Sequence, residues 1–236
     1  MIFTWRRNLI LLSILLSGGC NHPAEIAPPD SPSFGKQLQL VRNGEADQIV
    51  LTTEIDQDEL RNLRELTSLR VLCLENGYVT DEGVVHLRGL SNLEQLKLWK
   101  SPLGDAGIEA LTGLTNLRLF NVPDAQFTDQ ALNLLTQLPQ LELLRIGSPN
   151  ITDAGIDSLQ AMPNLRFLHL INIPITDAAL IKIARLKRLE SLYLDHTQVS
   201  DDGIEQLLQS RPDLHFHINQ LHHENDPQQH EHPQQK

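Results

Sequence analysis

The chain has 236 residues, a formal net charge of −11 and only 4% aromatic residues. An acidic chain with few aromatics builds its core from aliphatic side chains, and it excludes nucleic acid as the expected partner, since phosphate binding needs a basic stripe. The two cysteines, Cys20 and Cys73, make no zinc-site spacing with the histidines.

Residues 1–19 read as a secretory signal. Arg6 and Arg7 form a positive start, Leu9 to Leu16 a short apolar run, and Ser17, Gly18 and Gly19 a small-residue stretch before Cys20. The apolar run is too short for a spanning helix, which needs ~20 residues. The small residues ending in Cys20 resemble the lipobox of bacterial lipoproteins. That family favours Leu three places before the Cys; here Ser17 holds the place and Leu16 lies one earlier. The resemblance implies acylation of Cys20 and a membrane tether of more than one acyl chain, since one chain alone anchors only marginally. Asn21 stands where some bacterial lipoproteins carry an Asp that retains them at the inner membrane, so the resemblance favours the outer membrane. Residues 20–35 then form a Pro-rich linker with Pro23, Pro28, Pro29 and Pro32, a semi-rigid stalk.

Residues 36–66 read as a cap and a degenerate first repeat. Lys36 to Arg42 suit a short helix ended by Asn43-Gly44, Ile49 to Leu51 a strand, and Ile55, Leu60, Leu63 and Leu66 a helical spacing. Exposed solenoid ends need such caps.

Residues 67–210 carry six units of 24 residues. Asp81, Asp105, Asp129, Asp153, Asp177 and Asp201 recur at that period, each followed two places on by Gly or Ala. A period of this size marks a repeat architecture. In the first unit Leu72 and Leu74 alternate as in a strand, and Val84, Leu87 and Leu90 follow a helical stripe. Either Thr80 or Asp81 caps that helix, and the Asp suits the positive end of its dipole. The Gly/Ala column predicts close backbone packing at each helix start. One unit's seven aliphatic side chains cannot offset the ordering of 24 residues at ~1–2 kcal/mol each, so the units must stack.

The pattern L-x-x-L-x-L followed by I-T-D-A-G-I-x-x-L-x-x-L resembles the leucine-rich repeat family, of the helix-containing kind seen in ribonuclease inhibitors and F-box-associated receptors. The resemblance implies an α/β solenoid, a curved right-handed horseshoe with short parallel strands on the concave side and helices on the convex side. One departure is plain. Where the family places Asn or Cys after the strand, this chain has Gly77, Ser101, Ala125, Pro149, Ile173 and Thr197, so no Asn ladder is expected there. No F-box precedes the repeats, and a ubiquitin-ligase role does not carry over.

Strand residues that alternate with the core leucines face the concave side. Leu119, Leu143 and Phe167 line up as an apolar run, with Gln95, Lys97, Trp99, Asn121, Arg145, His169, Ile171 and Tyr193 around it. Trp, Tyr and Arg are favoured at binding hot spots, and these residues are the candidate partner-binding face. No nucleophile, base and orienting acid stand together, so no enzyme and no cofactor is expected. Cys73 has no basic neighbour to activate it.

Residues 211–218 suit a capping strand, with Phe216 and Ile218 inward. Residues 219–236 read as a disordered His/Gln-rich tail, whose His222, His223, His230 and His232 are minor metal-binding candidates by imidazole density. The expected function is a non-enzymatic, monomeric binding protein tethered to the cell envelope with a protein partner. The alternatives are a structural envelope or wall-associated lipoprotein, and metal binding by the tail.

Overall fold

The computed structural model describes residues 32–219 and the backbone of residues 221–222. Residues 1–19, Cys20, His223, His230 and His232, on which the signal, lipidation and tail expectations fall, lie outside the described residues. Among those described, no helix is long and apolar enough to cross a membrane.

Each 24-residue unit contributes one short strand and one helical segment, and the strands form a single sheet in sequence order. The strands are β1 (Gln48–Glu54), β2 (Val71–Asn76), β3 (Gln95–Leu98), β4 (Leu119–Val122), β5 (Leu143–Gly147), β6 (Phe167–Ile171), β7 (Ser191–Asp195), β8 (His215–Ile218) and β9 (Leu221–His222). β1 to β8 are parallel. β9 turns back antiparallel on β8. The core lies between the sheet and the helical layer. In the second unit Leu93, Leu96, Leu98, Leu103, Ile108, Leu111 and Leu114 are all at most 1% exposed. Phe120 and Phe127 replace two aliphatics in the third unit and stack at 6.3 Å between centroids.

The helical layer is shorter and tighter than the helical spacing alone predicts. Asp105–Leu111, Asp129–Leu135, Asp177–Ile183 and Asp201–Ser210 are α-helices. Gln57–Leu63 and Gly155–Ala161 are 3-10 helices, and Asp81–Val84 passes into a 3-10 turn at Val85–Leu87. A 24-residue unit leaves room for about two turns, and short segments accept i→i+3 bonding readily.

The Asp column resolves into two jobs held by neighbouring residues. The residue before five of the six Asp residues has extended backbone and sits at the N-cap: Thr80, Gly104, Thr128, Thr176 and Ser200; in the fourth unit the 3-10 helix starts later, with Ala154 at its N-cap. The Asp side chain instead reaches forward to the next unit. Asp153 accepts from Thr176 N at 2.8 Å and from Thr176 Oγ1 at 2.7 Å. Asp105 does the same to Thr128, Asp129 to Thr152, and Asp177 to Ser200. Asp81 meets only the amide of Gly104, which has no hydroxyl. In the degenerate first unit Gln57 takes the Asp place and its Oε1 accepts from both Thr80 N and Thr80 Oγ1.

The small-residue column follows from the same staple. A Cβ on Gly155 would lie 2.3 Å from Asp129 Oδ1, and one on Gly203 2.2 Å from Asp177 Oδ1. The close neighbour is therefore the preceding unit's carboxylate, not the backbone that the sequence suggested.

Two further ladders bind the units. Asn92, Asn116 and Asn164 each donate from Nδ2 to a carbonyl of the preceding unit, that of Thr67, Ser91 and Pro139, at 2.8 Å. This Asn ladder sits on the turn before each strand, not after it. Arg70–Glu94, Arg118–Glu142 and Arg166–Glu190 pair across units at 2.7 Å. These pairs are part-exposed, so each contributes ~1 kcal/mol or less. The turns after the strands are satisfied piecemeal. Ser101 Oγ accepts from Val79 N, Lys100 N donates to Asp124, and Ser148 Oγ donates to the Phe127 carbonyl.

Both ends are closed by polar side chains on backbone. The N-terminal helix spans Phe34–Arg42, and Gly44 behind it has φ +71°, the left-handed stop that glycine adopts without strain. From that helix Gln37 Nε2 donates to the Val50 carbonyl while its Oε1 accepts from Val50 N. The outer edge of β1 is thus partly paired by an amide, which blunts an edge open to aggregation. At the other end Arg211, 5% exposed, donates to the carbonyls of Leu186 and Leu189 and pairs with Asp213. Its buried charge is thereby matched.

Candidate functional site

Strand register brings the concave residues into columns. Val71, Gln95, Leu119, Leu143, Phe167, Ser191 and His215 are successive partners. So are Cys73, Lys97, Asn121, Arg145, His169, Tyr193 and His217. Gly147, Ile171 and Asp195 align in a third column, while Glu75, Trp99 and Pro123 fall outside the paired register.

The apolar run is in place but less open than expected. Leu119 is 7% exposed, and Leu143 and Phe167 are half-buried. Strands lie about 4.8 Å apart, so each side chain is shielded on both flanks by its column neighbours. The large hydrophobics that are exposed among the described residues, Tyr78 and Ile181, stand off these columns. Trp99, Lys97 and Ile171 are half-buried, and Gln95 is buried. Arg166 lies over the Phe167 ring, its guanidinium carbon 5.0 Å from the centroid. Cys73 is a buried thiol.

Four side chains form a hydrogen-bonded chain across β4, β5, β6 and β7. Arg145 Nη1 donates to Asn121 Oδ1 at 3.3 Å, and Arg145 Nε donates to His169 Nδ1 at 3.1 Å. His169 Nε2 meets Asp195 Oδ2 at 2.8 Å. Because Nδ1 accepts, Nε2 carries the proton and donates to the carboxylate. His169 is 4% exposed and Asp195 3%. Burial first, with the Arg145 charge behind it, holds the His169 pKa below the ordinary value against the pull of Asp195. Both ring nitrogens are engaged in holding neighbours. Asp195 was not among the candidates read from the sequence. It bonds one column over and one strand on, a diagonal that the period alone does not expose.

The C-terminal end of the face is aromatic and imidazole-rich. Tyr193, 5% exposed, lies 5.5 Å from His169, 5.9 Å from His215 and 4.3 Å from His217 between ring centroids. Among the described residues no group of three or more His, Cys, Asp or Glu side chains is placed to hold a metal. His222 is described by its backbone alone, in β9.

No protein-family model matches the sequence, and no curated protein matches it. Solved structures do. Internalin C2 from Listeria monocytogenes strain 4b F2365 superposes with a TM-score of 0.55 at 25% identity, covering 67% of this chain and 65% of that one. A second internalin from the same strain, inlF, gives 0.52 at 24% identity, covering 67% and 50%. Their repeats, and eight parallel strands alternating with helices in one open sheet, decide the architecture. The fold is a leucine-rich repeat solenoid. The chain spans 65% and 50% of the length of these two proteins.

Proposed function

We propose that this leucine-rich repeat chain is a non-enzymatic binding protein that takes a protein partner on its concave face. The observation that carries the reading is the Asn121–Arg145–His169–Asp195 chain on the strands that carry Leu143 and Phe167, with Trp99 half-buried on the same face. Hydrogen bonds hold the polar members in one arrangement, so little conformational entropy remains to be lost on binding. The half-buried aromatics and Arg145 are residue types that anchor interfaces. The leucine-rich repeat neighbours support a protein-binding role.

The tether belongs to the same proposal. Acylation at Cys20 would hold the monomeric solenoid to the envelope, on the outer membrane, through the Pro-rich linker that precedes the Phe34–Arg42 helix. The alternative is a structural, wall-associated lipoprotein with no specific soluble partner.

The test is capture from an envelope extract by residues 20–236 carrying Cys20→Ser. A triple variant, Trp99→Ala, Phe167→Ala and Ile171→Ala, is run beside it after circular dichroism shows that it folds. Leu119 is left intact because it is buried. A partner held by the parent and lost by the variant supports the concave site. Identical captures, or none, with sedimentation on isolated wall material in both, would move the reading to the structural role.

A further inference from the structure

The chain carries a formal net charge of −11, yet its N-terminal end holds a basic cavity. The cavity, of about 580 Å³, lies between the end of the Phe34–Arg42 helix and residues 61–68. Arg42, Arg61, Arg64, Thr67 and Ser68 line it, and Glu65 is the single acid in its wall. Arg61 is already engaged, since it pairs with Asp58 at 2.5 Å. Arg42 and Arg64 take part in no ion pair among the described residues. Arg42 Nη2 donates to the Asn62 carbonyl at 3.4 Å, and Arg64 Nε donates to His86 Nδ1 at 2.9 Å. The second bond holds the Arg64 guanidinium by Nε and leaves its two Nη groups without a protein partner among the described residues.

His86 accepts at Nδ1, so its ring is neutral. Burial first, then the Arg64 and Arg61 charges, hold its pKa below the ordinary value against the pull of Asp58. Arg88, one 24-residue period after Arg64, adds to the same positive field. That column continues as Thr112, Thr136, Gln160 and Ala184, so its charge belongs to this end and not to the repeat.

We propose that this cavity binds a phosphate group through Arg42 and Arg64, with the Thr67 and Ser68 hydroxyls as further donors. A planar guanidinium offers paired N–H donors that match phosphate oxygens. A phosphomonoester carries about two negative charges near neutral pH, which balances the two unpaired guanidinium groups. A lone carboxylate would leave one of them over. Two sources carry this chemistry, a free phosphate and a phosphomonoester lipid headgroup. The headgroup source rests on the tether at Cys20, because the linker enters the solenoid through the helix that ends at Arg42, roughly 13 Å long. The cavity itself is independent of both the tether and the concave face.

The test is calorimetric titration of residues 20–236, carrying Cys20→Ser, with inorganic phosphate at low ionic strength, where screening is weak. Flotation with phosphatidylcholine vesicles, with and without phosphatidic acid, is run beside it. The expected result is one phosphate per chain, or retention by the vesicles that contain phosphatidic acid. The first assigns a free phosphate as ligand, and retention without uptake of free phosphate assigns the headgroup. Arg42→Gln and Arg64→Gln, both at exposed positions, weaken binding about tenfold or more. Arg64→Lys keeps the charge but not the fork and falls between. Glu65→Gln removes the opposing charge and tightens binding. The Lys187→Gln/Arg188→Gln double variant, far along the solenoid, binds as the parent does. No binding in either arm would overturn the proposal. So would equal losses from the Arg42 or Arg64 variants and the Lys187/Arg188 double variant, which would reduce the effect to general surface charge.

Discussion

Replacing Asp153 with Ala removes both bonds that its carboxylate makes to Thr176, at 2.8 and 2.7 Å. The Lys182 bond to this residue is to the backbone carbonyl and survives. Hydrogen bonds to a charged group contribute about 1.5–3 kcal/mol each when buried. Solvent reaches this half-buried pair, so about 2 kcal/mol for both together is the expected loss. For a chain of this size that lowers Tm by roughly 4–8 °C. A helix-dipole role alone would be worth only ~0.3–1 kcal/mol, and Asn would lose as much of it as Ala. The staple predicts otherwise: Asp153→Asn keeps an acceptor for the Thr176 amide and costs less than half as much as Ala. The decisive assay is a double-mutant cycle by denaturant unfolding of Asp153→Ala, Thr176→Ala and the pair. Thr176 also caps its own helix through Ala178 N, so its single variant is costly by itself. The cycle should still show a coupling of ~1 kcal/mol or more across 23 residues of sequence. Additivity within about 0.5 kcal/mol would refute the staple.

Two other outcomes follow from named contacts. Gly155→Val drives a branched side chain into the Asp129 carboxylate, which is already fixed on Thr152. Thermal melts should show a loss of ~1–3 kcal/mol, with Gly155→Ala milder because Ala131 and Ala179 already occupy the column; an unchanged melt for the valine variant would reject the packing argument. For His169 the folded pKa lies below the ordinary value. The unfolded chain therefore takes up the proton first as pH falls. The stabilisation is complete above about pH 6.5 and is lost as pH drops from there through the lower folded value. Denaturant unfolding of parent and His169→Gln across pH 5–8 should give curves that converge toward acid. Parallel curves would show that His169 does not titrate between the two states.

The period made most of the architecture legible, and the misses share one cause. A column laid out at 24 residues shows what repeats but not what touches. Asp153 meets Thr176 at a separation of 23, His169 meets Asp195 at 26 and Asn92 meets Thr67 at 25. Each of these bonds runs between adjacent units on a slant, which only coordinates reveal. The alternation of Arg70, Glu94, Arg118, Glu142, Arg166 and Glu190 was visible in the sequence at the bare period. Its partners lie at the period itself, so laying out every column would have found it. The exposure of the concave face was overestimated for a geometric reason. Alternation along a strand says which way a side chain points, and the strand spacing decides how much of it water reaches.

The division of labour between columns is what leaves the concave face open to function. The staples from Asp to Thr or Ser, the Asn ladder and the small-residue column all lie on turns and helix starts. Each unit is thereby locked to the next without drawing on a strand residue that faces the hollow. That freedom shows in the first two concave columns, where Leu119 neighbours Gln95 and Arg145 neighbours Asn121. A polar chain such as Asn121–Arg145–His169–Asp195 can then be assembled by changing one residue per unit, because the register is already fixed elsewhere. Disrupting that chain should therefore alter what binds far more than whether the solenoid folds, while disrupting a staple should do the reverse.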